Sequence, residues 1–213
     1  MKPGTRVFCH LIDIFIKLRI EKVLLKMLGI LFYLRFKIKN NLKIVGLQNI
    51  KGIRSKNFIL IGNHSSTADF YLLFSLMYGK LMLPFWYITK VTEKEMKSPL
   101  FTRYLKITGG MPKIGKGKKF VKWMVDVLLD PKRRRIAIPP EGMHNDGRLM
   151  GGFSGFVRVY YAANKKFKIP IVPVVTIGAA EAYPTKPDPD GRFRPRKHKG
   201  IIGRIGKPFH LPP

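Results

Sequence analysis

The sequence predicts an α/β fold: one domain with a mixed, mostly parallel sheet flanked by helices, preceded by an amphipathic two-helix segment. Three observations predict it. From Leu42 onward, short apolar β-rich runs alternate with stretches of helical period, the pattern of strands joined by crossover helices. A length of 213 residues gives one domain a substantial core and is too short for two ordinary domains and a linker. Ahead of that region, the apolar residues recur at three-and-four spacing with no strand signal among them.

The elements follow in chain order. Phe8, Leu11, Ile12, Phe15 and Ile16, then Val23, Leu24, Met27, Leu28, Leu31 and Phe32, form apolar stripes of two helices. Residues 1–41 are therefore read as a two-helix motif and residues 42–213 as the α/β domain. The remaining positions carry Lys17, Arg19, Lys22, Lys26, Arg35, Lys37 and Lys39, which suits a helix lying at a membrane surface. A stripe of period 3.6 reports one apolar face and does not say whether lipid or protein covers it. Residues 57–62 (Asn-Phe-Ile-Leu-Ile-Gly) read as a buried strand, 66–78 as a helix and 85–89 as a second strand, whose Phe85, Trp86 and Tyr87 are expected in the core. Residues 118–129 have helical spacing closed by Asp130-Pro131, and 135–138 read as a third strand. A helix is expected over 153–163. A strand over 169–177 contains Pro170 and Pro173 and is expected at an edge or a strand end. Residues 181–200 are loop, and 201–205 a last short strand.

Forty-one basic and 12 acidic residues give a net charge of +29, so the protein faces an anion: nucleic acid, acidic lipid or a phosphorylated substrate. With 46% hydrophobic and 12% aromatic residues the chain is no disordered basic tail. Cys9 is the only cysteine, which excludes an intramolecular disulfide and suits a reducing compartment. No metal site is expected, since His144, His198 and His210 lack ligand spacing. Lys80 and Pro84 break the longest apolar stretch, 70–89, so no ordinary membrane span is expected, nor a secretory signal. The basic runs 132–135 and 192–199 come without any nucleic-acid recognition signature and read as solvated or membrane-facing charge.

Two segments carry chemistry. In Gly62-Asn63-His64-Ser65-Ser66-Thr67-Ala68-Asp69, a strand gives way to a helix. Five residues turn through about 500° on a continuous helix, so His64 and Asp69 converge only if His64 sits in the turn and Asp69 in the first helical turn. A carboxylate on one imidazole nitrogen fixes the tautomer and leaves the other nitrogen to take a proton from a hydroxyl. The alternative is plainer: Ser65, Ser66 and Asp69 cap a helix beside an ordinary loop histidine. The second segment, Pro139-Pro140-Glu141-Gly142-Met143-His144, follows the apolar strand 135–138 and places a carboxylate where the loops of an open sheet meet.

Together these segments resemble the glycerolipid acyltransferase family typified by lysophosphatidic acid acyltransferase. His64 and Asp69 match its motif of His, four residues, then Asp, and Pro140-Glu141-Gly142 matches its Pro-Glu-Gly-Thr block, with 77 residues from His64 to Glu141. Ser98-Pro99-Leu100-Phe101, Gly109-Gly110-Met111-Pro112, Asp146-Gly147-Arg148-Leu149, the run 169–174 and Gly203 to Pro208 resemble further blocks in the same order. The resemblance implies phospholipid biosynthesis. A membrane-associated enzyme would move a fatty acyl group from a thioester, acyl-CoA or acyl carrier protein, to a glycerolipid hydroxyl, with no resident cofactor. His64 would be the base, Asp69 its orienting partner, and Glu141 and Gly142 part of the acceptor site.

Two departures bear on the acceptor. Met143 and His144 stand where the family continues with Thr and Arg, and Lys113, Lys116 and Lys118 where an arginine is expected. Arginine grips phosphate with a bidentate fork and lysine acts as a point charge. Lys113, Lys116, Lys118, His144 and Arg148 are the candidates for an acceptor phosphate, and a different lysolipid or a glycolipid is the other expectation. The expected partners are the anionic cytoplasmic face of a membrane, an acyl thioester and a lysolipid, with no nucleic acid. The alternative is a non-catalytic basic protein that binds anionic lipid or nucleic acid on the same scaffold.

Overall fold

The computed structural model describes residues 21–66, 68–81, 83, 86–89, 110–112, 118–130, 135–141, 151–152, 154–184 and 200–212; for 21, 22, 86–89, 110–112 and 118–120 it describes the backbone alone. The first expected helix lies outside these residues. The second is α1, Glu21–Asn40. It ends where Asn41 turns to a positive φ of 46° and the Leu42 N–H closes on the Phe36 carbonyl at 3.2 Å.

Among the described residues seven strands form one sheet: β1 (Lys43–Val45), β2 (Phe58–Gly62), β3 (Trp86–Thr89), β4 (Gly110–Pro112), β5 (Arg135–Ile138), β6 (Ile171–Ile177) and β7 (Ile202–Ile205). The spatial order is β1-β7-β6-β2-β5-β3-β4. Every pairing is parallel except β6 with β7. The helices after α1 are α2 (Gln48–Lys51), α3 (Asp69–Phe74), α4 (Lys118–Leu129), α5 (Gly155–Asn164) and α6 (Ala179–Ala182). β1, β4 and α2 are too short to leave a periodic signal in the sequence. The expected helix over 66–78 begins at Asp69 and continues past Phe74 as π-helical turns, Ser75–Lys80.

β2 sorts the core into two layers, because alternate residues of a strand face opposite sides. Phe58 and Leu60 pack with Leu25, Phe74, Met77, Val172, Val174 and Ile205 beneath α1 and the α3 segment. Ile59 packs on the other side with Met124, Leu128, Ile136, Val159 and Tyr160 beneath α4 and α5. Each such side chain contributes about 1.5–3 kcal/mol by leaving water, which explains why β2 is apolar without alternation.

α1 joins the first layer through glycine. A Cβ on Gly29 would lie 2.6 Å from the Cβ of Tyr78, and one on Gly79 would run into the Gly29 carbonyl, so only these residues let the two backbones touch. Protein thus covers one face of α1. The opposite face is open: Val23, Met27, Leu31, Leu34 and Ile38 are exposed, Ile38 by 79%.

β6 corrects an expectation. Despite its prolines it is an inner strand, held between β7 and β2. Its pairing with the chain after β7 explains how. Val175 faces Arg204 and Ile171 faces Phe209, so four residue steps on β6 oppose five on the partner, a bulge at Gly206-Lys207-Pro208. Pro173 lacks an N–H where the ladder is already interrupted, and its carbonyl still accepts the Gly206 N–H at 2.8 Å. Gly206 is required there, since a Cβ would sit 2.6 Å from the Pro173 Cγ.

Candidate active site

β2 and β5 run parallel with Ile61 beside Ile138, an offset of 77 residues. His64 and Glu141 each lie three residues beyond that pair, so the spacing seen in the sequence is the register of the two strands. The Glu141 Oε2 accepts the His64 backbone N–H at 3.2 Å, and Glu141 is only 5% exposed. Its carboxylate ties the two strand ends together and fixes where the His64 loop leaves the sheet.

Asp69 opens α3 and is 5% exposed. Its Oδ2 lies 3.3 Å from the His64 Nδ1 and accepts the Ser66 N–H at 2.8 Å. The Ser66 Oγ accepts the Ala68 N–H at 3.0 Å. The Asp69 carboxylate and the Ser66 hydroxyl thus close the turn that leads into α3, whose N-cap Ala68 has no side-chain cap. One carboxylate bonds both the turn ahead of α3 and the imidazole. The contact to Nδ1 selects the tautomer protonated at that nitrogen.

Three residues that sequence reasoning did not single out complete the arrangement. Asn63 extends the β2–β6 pairing with its side chain: its Oδ1 accepts the Thr176 N–H and its Nδ2 donates to the Thr176 carbonyl, both at 2.9 Å. The backbone is thereby released into the His64 turn without losing the ladder. The Thr176 hydroxyl donates to the Asp69 Oδ1 at 2.9 Å. Tyr183 accepts the Ser66 hydroxyl on its carbonyl at 2.8 Å and donates its own hydroxyl to the Asn40 Oδ1 at 2.8 Å, linking the end of α1 to the turn ahead of α3. Burial pushes the Tyr183 phenol above its usual value, with the nearby Arg35 opposing the shift. Asn63 stands next to His64 in the sequence and could have been found there. Thr176 and Tyr183 come from more than 100 residues away and carry no local signal.

Beneath the Asn63–Asp69–Thr176 cluster runs a narrow apolar recess lined by Leu60, Gly62, Leu73, Ala137, Ile138 and Val174. Among the described residues, no group of three His, Cys, Asp or Glu side chains is placed to hold a metal. Lys118 is the first residue of α4 and its backbone alone is described. Gly142, Lys113, Lys116, His144 and Arg148 lie outside the described residues.

A buried carboxylate lies against a half-buried histidine at the carboxyl ends of parallel strands, beside an apolar recess of an α/β domain. The chain belongs to the Acyltransferase family, whose sequence model matches residues 41–177. Among solved structures it is similar in fold to the 1-acyl-sn-glycerophosphate (LPA) acyltransferase PlsC from Thermotoga maritima, with a TM-score of 0.66 and 18% identity over 91% of this chain and 72% of that one. No curated protein sequence matches.

Proposed function

We propose that this acyltransferase moves a fatty acyl group from acyl-CoA or acyl carrier protein to a hydroxyl of a lysophospholipid-type acceptor at a membrane surface. The observation that carries the reading is the His64 Nδ1 against the Asp69 Oδ2 at 3.3 Å, at a rim where the strand register also brings Glu141. The likeness in fold to PlsC supports the choice of a glycerolipid acceptor.

With Nδ1 protonated, the His64 Nε2 accepts the proton of the acceptor hydroxyl as its oxygen attacks the thioester carbonyl. Asp69 stabilises the imidazolium that forms. The tetrahedral intermediate then expels the thiolate, which takes that proton from His64, leaving an ester and a free thiol. The hydroxyl attacks directly, so no acyl-enzyme forms. Lys113, Lys116, Lys118, His144 and Arg148, with Glu141 and Gly142, bind the acceptor's polar head.

The open face of α1 meets the bilayer on its cytoplasmic side. Val23, Met27, Leu31, Leu34 and Ile38 lie along one stripe of the helix, opposite the stripe of Leu25, Gly29, Phe32 and Phe36 that packs on the domain. At 100° per residue, Lys26 and Lys37 flank the open stripe on one side and Arg35 and Lys39 on the other, in reach of lipid phosphates. No helix among the described residues is long and apolar enough to cross a membrane. We read the docking as peripheral or monotopic.

The test incubates purified protein with vesicles, an acyl-CoA and a panel of lysolipids. Free thiol is expected only when an acceptor is present, and His64→Ala is expected to abolish it. Wild-type turnover in the alanine variant would remove His64 as the base.

A further inference from the structure

We propose that Thr176 is a positioning residue for acyl transfer: its hydroxyl sets the rotation of the Asp69 carboxylate and thereby the direction of the His64 ring. The inference rests on the reading of His64 and Asp69 as base and orienting partner. The three donors around Asp69 divide between its two oxygens. The Ser66 N–H at 2.8 Å and the His64 Nδ1 at 3.3 Å are on Oδ2, and the Thr176 hydroxyl at 2.9 Å is on Oδ1. A carboxylate held at one oxygen still turns about its Cβ–Cγ bond, whose torsional preference is broad; held at both, it has one plane. Only the Thr176 bond on Oδ1 separates these cases among the hydrogen bonds described.

The hydroxyl has a single proton and two acceptors in range, Asp69 Oδ1 at 2.9 Å and Asn63 Oδ1 at 3.3 Å. Asn63 Oδ1 already receives the Thr176 N–H, and the carboxylate is both nearer and charged, so the proton goes to Asp69. Thr176 is itself firmly held. Its N–H and carbonyl are both bonded to the Asn63 side chain at 2.9 Å, and its β-branched χ1 has little freedom on a strand. The rigid inner strand β6 is thus joined through one hydroxyl to the carboxylate that orients the base. Strand propensity and volume alone do not call for that hydroxyl, because valine meets both demands at this half-buried position.

Two measurements test the role. In the thiol-release assay, Thr176→Val is expected to lower kcat about ten-fold with KM unchanged, as loss of one hydrogen bond to a charged group implies, while Thr176→Ser recovers most of the rate. If Thr176 acts through the Asp69 carboxylate, adding Thr176→Val to Asp69→Ala slows the enzyme no further. Independently of any substrate, nitrogen NMR of histidine-labelled protein in micelles reports the His64 tautomer, assigned by its disappearance in His64→Ala. The Nδ1-protonated form is expected to dominate in wild type and Thr176→Ser and to become mixed in Thr176→Val. A Val variant with wild-type kcat and tautomer overturns the inference, as does a Ser variant as slow as Val or a double variant whose losses multiply. Loss of turnover in His64→Ala beside a wild-type rate in Thr176→Val overturns this inference alone; turnover retained in His64→Ala overturns the catalytic reading with it.

Discussion

Replacing Asp69 by Asn separates the structural task of this carboxylate from its proposed catalytic one. The amide can keep its oxygen toward Ser66 and His64 and turn its NH2 toward Thr176, whose hydroxyl then donates to Asn63 Oδ1 at 3.3 Å. The turn ahead of α3 therefore survives, and what disappears is the negative charge 3.3 Å from Nδ1. At an effective dielectric constant of about 20, that charge and a full imidazolium attract by about 5 kcal/mol. With the proton half transferred, about 2.5 kcal/mol is lost from the transition state, roughly a 70-fold fall in turnover. Asp69→Ala removes the acceptor altogether and strands the buried Ser66 N–H, at a cost of about 1.5–3 kcal/mol, a drop of roughly 3–12 °C in Tm for a chain of this size. The assay pairs thiol release with thermal melting for both variants. Turnover in Asp69→Asn within two-fold of wild type would refute the electrostatic role. A Tm in Asp69→Asn as low as in Asp69→Ala would mean that activity is lost with the fold.

Four further outcomes are expected. Gly206→Ala forces a Cβ to 2.6 Å from Pro173 Cγ and should cost about 1–3 kcal/mol, read in thermal melts; adding Pro173→Ala removes the obstructing atoms and should recover part of it. Gly79→Ala pushes on the Gly29 carbonyl, which cannot rotate away, and should loosen α1, seen as faster amide hydrogen exchange along 21–40 than in wild type. Leu31→Glu with Ile38→Glu changes only exposed positions and should weaken flotation with acidic vesicles while leaving Tm unchanged. Because burial raises the Tyr183 phenol above its unfolded value, the stability it supports is complete below that value, near pH 10, and is lost as pH rises through the folded one. Tyr183→Phe should flatten this alkaline loss in pH-dependent melts.

Several features were legible in the chain because they are local. β2 and α4 are continuous apolar or periodic runs, and α4 and β5 occupy the residues read from spacing, 118–129 and 135–138. The His64–Asp69 pair lies within one strand-to-helix junction, so five residues suffice to place it. The offset of 77 residues to Glu141 was visible as a distance, and the sheet converts it into register. Pro173 misled the strand assignment for a physical reason: a proline is excluded from an inner strand only where the ladder needs its N–H, and the bulge at 206–208 removes that need.

The sequence by itself determined the α/β class, the pairing of His64 with Asp69, and the presence of an apolar, basic helix ahead of the domain. These follow from periodicity and from motifs a few residues long. Only the tertiary structure decided that α1 has two apolar faces with different fates, one closed on Tyr78–Gly79 and one open. It alone brought Thr176 and Tyr183 to the His64–Asp69 turn. Those contacts are made by strand order and register, which bring residues more than 100 positions apart to within 3 Å and leave no trace in local pattern.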